Sequence, residues 1–226
     1  MAVLNAGHAF GETAELSGEL RPVSIGAAPA EHGTYRTVSG TEAIAWGLVA
    51  GLKAAGLERM VFAGYPITPA SPVLQVLTGL RAHGVVTFQA EDEIAAIGAA
   101  IGAAYGGALG LTASSGPGIA LKSEALGLAV MVELPLVVVD VQRAGPSTGM
   151  PTKTEQADLL QIMFGRNSDS PLPIVAPATP AECFDMAIEA FRIALRYVTP
   201  VVFMSDAFLA NGAEPWRIPK VEDLKP

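Results

Sequence analysis

Residues 136–152 read LVVVDVQRAGPSTGMPT. The opening LVVVDV is β-branched and unbroken, the composition of a strand covered on both faces. Such strands belong to parallel sheets with helices packed on either side. The stretch that follows, 142–153, is rich in Gly, Pro, Ser and Thr and reads as a loop at the strand's carboxyl end.

The same alternation runs outward in both directions. Toward the N-terminus, Ser39-Gly40-Thr41-Glu42 offers a cap and a first-turn acid for an Ala- and Leu-rich helix over 43–55, closed by Gly56. Strands are expected at 60–63, 85–89 and 109–114, with helices at 72–83, 91–105 and 116–132. The helix over 91–105 is so rich in Ile, Ala and Gly that it reads as wholly buried, with Gly98 and Gly102 allowing a close neighbour. Toward the C-terminus, helices are expected at 154–164 and 180–196 and strands at 173–176 and 200–204. The fold class is therefore α/β, with a doubly wound, mainly parallel sheet over 39–206. Residues 17–38 lack periodicity and read as a linker after a short helix at 1–16, and residues 207–226 as an extended tail.

Composition narrows the function. The 226 residues are long enough for a two-sided core, and with half of them apolar and only 16% charged the chain is expected to hide surface against partner subunits. A net charge of −8 and the lack of any Lys/Arg cluster argue against nucleic acid or an anionic membrane as partner. No apolar run reaches the roughly 18 to 20 residues that span a bilayer, and no secretory signal pattern opens the chain. Cys183, the single cysteine, can form neither an internal disulfide nor a cluster cage and reads as plain core, which fits a reducing cytoplasm.

In an open parallel sheet, ligands bind beyond the carboxyl ends of the strands. The segments to inspect are 64–71, 90–93, 114–118, 142–152 and 205–206. The first, GYPITPAS, has Pro66 and Pro69 restraining the backbone around a buried-looking Thr68. SSGPG at 114–118 and AGPSTGMPT at 144–152 expose backbone donors or are ordinary tight turns, and no GxxxxGKS/T or GxGxxG phosphate signature occurs. Glu91, Asp92 and Glu93 open a helix, where acids cap, but a carboxylate facing apolar surroundings needs a specific donor, and Glu93 stands out for that reason. The planar fork of Arg143 suits a carboxylate or a surface ion pair, and its place after the central strand favours the ligand. His8, His32 and His83 read as capping or solvated side chains.

Taken in order, GYPITPAS, FQAEDEIAAIGAAIGAAYGG, SSGPG, VDVQRAGPSTGMPTKTEQADL and NGAEPWRIP resemble the α subunit of 2-oxoacid:ferredoxin oxidoreductases, most of all the 2-oxoglutarate type. The resemblance implies the pyrimidine-binding fold of thiamine diphosphate enzymes for 39–206. It implies that Glu93, followed by Ala96 in an E-x-x-A pattern that Glu91 does not meet, contacts N1′ of the aminopyrimidine. Thr68 would lie beside the substrate and the reactive carbon, and Arg143 and Thr152 on the substrate carboxylates. Tyr65, Pro66, Ser115 and Gly116 would touch the cofactor. The family pattern has glycine at the position of Ala144, which leaves the loop backbone here less free.

The resemblance further implies a β subunit that supplies Mg²⁺, the diphosphate site and a 4Fe–4S cluster. With it come ferredoxin, CoA and a 2-oxoacid as reactants, and an (αβ)₂ assembly. Residues 1–38, with AGHAFGET, would be the end of a γ domain and its linker, and 207–226 would lead to a further C-terminal domain. Two rivals stand beside this reading: a sister enzyme for pyruvate or branched-chain 2-oxoacids, and a non-catalytic assembly domain of the same fold.

Overall fold

The computed structural model describes residues 5, 7–9, 12 and 31–224. The chain divides into two compact units, Met1–Gly33 and Thr34–Pro226. In the first, residues 5, 7–9 and 12 are helical, while residues 17–30 of the linker expected over 17–38 fall outside the described residues.

The second unit runs β1 (Tyr35–Ser39), α1 (Gly40–Ala54), β2 (Met60–Gly64), α2 (Ser71–Thr78), β3 (Val85–Gln89), α3 (Glu93–Tyr105), β4 (Leu109–Ser114), α4 (Gly116–Met131), β5 (Leu136–Gln142), α5 (Leu159–Phe164), β6 (Ile174–Val175), α6 (Glu182–Tyr197), β7 (Pro200–Asp206), α7 (Ala207–Asn211) and β8 (Ala213–Arg217). Six strands form one sheet in the order β3-β2-β4-β5-β7-β6, with every neighbour parallel. The doubly wound parallel sheet expected from the alternation is the one observed.

The central strand explains the layering. All seven residues of β5 are buried. Val137, Val139 and Val141 join the apolar cluster built with α1, α2 and α6, whereas Leu136 and Val138 join the cluster built with α3, α4 and α5. Alternate side chains of a strand point to opposite faces, so one β-branched run feeds two cores at once. Each such side chain contributes roughly 1.5–3 kcal/mol of burial.

Helix α1 starts where its sequence says it should. Ser39 is the N-cap, its hydroxyl accepting from the Glu42 amide while the Glu42 carboxylate accepts from the Ser39 amide at 3.0 Å, a reciprocal capping box.

Four expectations give way. Residues 35–39 are not linker and 213–217 are not an unstructured tail: β1 and β8 pair antiparallel from Tyr35↔Arg217 to Ser39↔Ala213. Trp216 of β8 packs at 4.9 Å from Phe184 and 5.9 Å from Trp46, and Arg36 of β1 stacks 4.3 Å over Trp46. Each strand is short and mostly exposed, and its partner lies far off in sequence, so neither carries a local signal.

The helix expected over 154–164 is helical only at Leu159–Phe164. Upstream of it, the side chains of Glu155 and Gln156 bond to the Gly145 amide (2.9 Å) and the Asp206 carboxylate (2.6 Å), which ties this stretch to the loop after β5 and to the end of β7. The helix expected over 72–83 stops at Thr78, and Arg81–His83 forms a separate 3₁₀ turn closed by Gly84 at φ 91°. Helix α3 is not wholly buried either. Ala96, Ile97, Ala100 and Ala104 face the core, Tyr105 is 82% exposed, and a Cβ at Gly98 or Gly102 would meet nothing within 4 Å.

Candidate functional site

The strand order reverses between β2 and β4, because the chain leaves β2 for β3 on one side and returns to β4 on the other. Carboxyl ends at such a reversal open a crevice. The turn after β2, the SGPG turn after β4 and the long loop after β5 all emerge at this edge.

The turn after β2 is anchored at its far end, where the Ser71 amide and hydroxyl both donate to the Ile67 carbonyl at 2.9 and 3.1 Å. Tyr65, Pro66 and Thr68 are exposed, whereas Pro69 and Ala70 are buried. Thr68 is thus presented outward, contrary to the buried threonine expected from its apolar neighbours. The peptide bond between Thr68 and Pro69 is cis.

Arg143 crosses to this turn. It is 7% exposed, and it donates from Nη1 to the Thr68 carbonyl at 2.6 Å and from Nη2 to the Thr148 carbonyl at 2.5 Å, while its buried Nε has no partner among the described residues. One guanidinium therefore staples two loops that come from different strands. The loop carrying it folds back on itself, with the Ala144 amide donating to the Lys153 carbonyl and the Met150 amide to the Ala144 carbonyl, both at 2.9 Å. Ala144 is buried, and its φ is not among the positive ones that would call for glycine. Thr152 lies exposed in the same loop.

At the head of α3 the three acids separate by role. Asp92 is the N-cap, its carboxylate accepting from the Ala95 amide at 2.7 Å, and Glu91 is exposed. Glu93 is half-buried, and among the described residues its carboxylate accepts no hydrogen bond. It leans on α4: a Cβ at Gly118 would lie 2.9 Å from Glu93 Cγ and 1.9 Å from Ser114 Oγ, so only glycine allows the two helices this approach.

On the other flank of the SGPG turn, a Cβ at Gly116 would lie 2.8 Å from the Asp158 carboxylate. Gly116, Pro117, Arg143, Gly145, Pro146 and Asp158 line a cleft of about 430 Å³. Ser115 is fully buried, its hydroxyl has no partner among the described residues, and its carbonyl accepts from the Gly118 and Ile119 amides at 2.8 and 3.0 Å, so it presents no group outward. Tyr65, Pro66, Thr68, Glu93 and Thr152 do not line this cleft.

The structure thus joins Thr68 to Arg143 directly, joins Arg143 to Gly116 across the cleft, and ties Glu93 to the same SGPG turn through Gly118. It leaves Tyr65, Pro66 and Thr152 exposed at the edge without bonding them to the others.

Three charged residues are not among those the sequence singles out. Lys122 of α4 has no exposed surface, and its ammonium donates to the Glu93 backbone carbonyl at 2.9 Å. Burial pushes it down to about 8, against the pull of Glu93 and Asp92. Asp140 of β5 is also fully buried beside the Asp158 carboxylate, and neither of its carboxyl oxygens has a hydrogen-bond partner among the described residues. Burial first, and then the charge of Asp158, pushes Asp140 well above the usual carboxylate range; Asp158 is raised by its own burial. Around them Thr112, Ser114 and Ser205 have buried hydroxyls without partners among the described residues. The signal that could have found them is a charge inside an otherwise apolar strand or helix, which is costly unless paired.

Comparison with known proteins places these features. Residues 51–226 match the family model described as "Pyruvate flavodoxin/ferredoxin oxidoreductase, thiamine diP-bdg". The "2-oxoglutarate oxidoreductase subunit KorA" of Mycobacterium tuberculosis is 58% identical over 223 residues, 99% of this chain and 34% of its own length. The "2-oxoglutarate synthase subunit KorA" of Archaeoglobus fulgidus is 42% identical over 73% of this chain and 48% of its own length. Among solved structures, a 2-oxoglutarate:ferredoxin oxidoreductase from Magnetococcus marinus with 2-oxoglutarate, coenzyme A and succinyl-CoA bound superposes with a TM-score of 0.81 at 39% identity, covering 96% of this chain and 38% of that one. The chain thus spans between a third and a half of the length of these relatives.

The residues present fit one end of thiamine diphosphate. An aminopyrimidine needs a carboxyl partner at N1′, and the half-buried Glu93 carboxylate, without a hydrogen-bond donor among the described residues, is one. Among the described residues there is no group of three His, Cys, Asp or Glu that could hold a metal ion.

Proposed function

The chain belongs to the thiamine diphosphate-binding family of pyruvate flavodoxin/ferredoxin oxidoreductases, and from that membership we propose that it is the pyrimidine-binding part of the α subunit of a 2-oxoglutarate:ferredoxin oxidoreductase. The reaction joins 2-oxoglutarate, CoA and oxidised ferredoxin to succinyl-CoA, carbon dioxide and reduced ferredoxin, or runs the reverse. The observation that carries this reading is the Glu93 carboxylate, free of hydrogen-bond donors among the described residues and set at the head of α3 beside the strand-order reversal.

Thiamine diphosphate, when bound, supplies a nucleophilic carbon and an electron sink for loss of carbon dioxide. Glu93 holds and exchanges the proton at N1′ of the pyrimidine, as a positioned carboxyl does in general acid–base catalysis. The turn of Tyr65, Pro66 and Thr68 presents a hydroxyl and a rigid backbone beside the reacting atoms, and the SGPG backbone at Ser115 and Gly116 borders the cofactor. Arg143 has five N–H donors and commits two to the Thr68 and Thr148 carbonyls. Those that remain, with the Thr152 hydroxyl from the same loop, take the substrate carboxylate.

A β subunit supplies the diphosphate site, Mg²⁺ and a 4Fe–4S cluster, and passes electrons to ferredoxin within an (αβ)₂ assembly in the cytoplasm. The residues ahead of β1 are read as the end of a γ-like domain and its linker, and those from 207 onward as leading to a further domain. The test is a substrate panel on the complex of this subunit with its β partner, scored by viologen reduction with CoA present. Strong turnover of 2-oxoglutarate supports the reading; preference for pyruvate or a branched-chain 2-oxoacid transfers the machinery to a sister enzyme. Absence of thiamine diphosphate binding leaves an assembly domain.

A further inference from the structure

Lys122 is placed against every local preference. It has no exposed surface, it has one neutral hydrogen-bond acceptor, the Glu93 carbonyl at 2.9 Å, and it stands at the N-terminal end of α3, where the helix dipole repels a cation. An apolar side chain of the same length would pack there at lower cost. The charged groups facing it are Glu93 and Asp92, both from the first turn of α3. Ser114 of β4 presents a buried hydroxyl without a partner nearby, against Gly118.

Gly118 lies one helical turn before Lys122, so both residues face α3 from the same side of α4. Gly118 bounds the Glu93 side chain at Cγ, and Lys122 holds the Glu93 backbone at its carbonyl. Glu93 is gripped at two points by a single face of one helix.

We propose that Lys122, together with Gly118, is a positioning element of this site: it fixes Glu93 at the head of α3 so that the carboxylate meets the pyrimidine in the geometry that favours its imino tautomer. This rests on the functional reading above and goes beyond it by assigning a residue that touches neither cofactor nor substrate. A misplacement of about 1 Å at a catalytic group costs on the order of a hundredfold, and a carboxylate on the first residue of a helix, with no side-chain bond of its own, is free to make that error unless something holds it.

The experiment uses the assembled complex and two substitutions, Lys122→Met and Gly118→Ala. Three quantities are measured: thermal stability, the difference circular dichroism that reports the pyrimidine tautomer on addition of thiamine diphosphate, and kcat and KM. Lys122→Met is expected to fold with undiminished stability, to lose most of the imino-tautomer band at saturating cofactor, and to drop kcat ten- to a hundredfold with KM for the 2-oxoacid unchanged. Gly118→Ala, which pushes on Glu93 while leaving Lys122 in place, is expected to lose the same band. A wild-type band and kcat in Lys122→Met overturn the proposal. If that variant does not fold, a normal band in Gly118→Ala overturns it instead. A wild-type complex that neither binds thiamine diphosphate nor needs Glu93 would defeat the functional reading, a result distinct from silence of these two variants alone.

Discussion

Arg143 Nη1 lies 2.6 Å from the carbonyl oxygen of Thr68, 75 residues away in the chain. The contact joins the loop after β5 to the turn after β2, two elements on either side of β4 in the sheet. A residue proposed to bind substrate is thus also the tie that holds the Thr68 turn in place.

That double duty predicts a mixed kinetic defect. A residue that only bound substrate would raise KM on removal and leave kcat alone. Arg143→Lys retains the charge but not the fork that reaches both carbonyls, so KM for 2-oxoglutarate should rise and kcat should fall with it, each by about tenfold or more. Steady-state kinetics on the complex decide the matter, and a pure KM effect would mean that the Thr68 turn stands without its staple.

Removal of the Glu93 carboxyl should be more severe. Glu93→Ala is expected to lower kcat on the order of a hundred- to ten-thousandfold, the usual range for a positioned proton-transfer group. The fold should be kept, because Asp92 and not Glu93 caps α3. Viologen reduction and far-ultraviolet circular dichroism, measured together, separate lost chemistry from lost structure.

Lys122 carries a pH signature of its own. A lysine moved from about 10.5 down to about 8 on folding binds fewer protons folded than unfolded between those values, so its contribution to stability improves as pH rises through that window. Below pH 8 the buried ammonium costs roughly 3 kcal/mol at full weight. Denaturant unfolding of Lys122→Met should show its greatest advantage over wild type below pH 8, and the advantage should shrink toward pH 10.5. A constant difference across that range would show that Lys122 titrates alike in the folded and unfolded chain, so that its burial does not shift it.

Asp140 behaves in the opposite sense. Its raised value means that the folded chain holds a proton which the unfolded chain releases above the ordinary carboxylate range. Stability from this group is therefore full in acid and lost as pH rises from that range upward. Asp140→Asn keeps the shape of the side chain and puts an amide beside Asp158 without the proton equilibrium. The variant should fold and should hold its stability at pH 8 better than wild type does, relative to pH 5. Equal slopes in the two proteins would place the proton elsewhere.

Much of the architecture is legible in the amino-acid order alone. The run 136–141 announces a strand buried on both faces, and Ser39 to Glu42 a cap with a first-turn acid, because strand and helix periods and capping depend on neighbours a few residues away. The preference for Glu93 over Glu91 rests on the family resemblance, through the E-x-x-A pattern that Glu93 meets with Ala96. The pairing of Tyr35–Ser39 with Ala213–Arg217 is not legible, nor is the early loss of helix ahead of Leu159, because their causes lie across the fold.

Local sequence determined the alternation of strands and helices, their caps and the loops that could carry chemistry, since these follow from periodicity and from the backbone limits of proline and glycine. Tertiary structure alone decided which of those loops meet. The strand order β3-β2-β4-β5-β7-β6 brings the turn at Thr68 within reach of Arg143 and lays the Gly118 and Lys122 face of α4 against Glu93. A buried charge can be seen in a sequence, but the partner that makes its burial tolerable is chosen by packing between distant segments, and no short-range pattern encodes it.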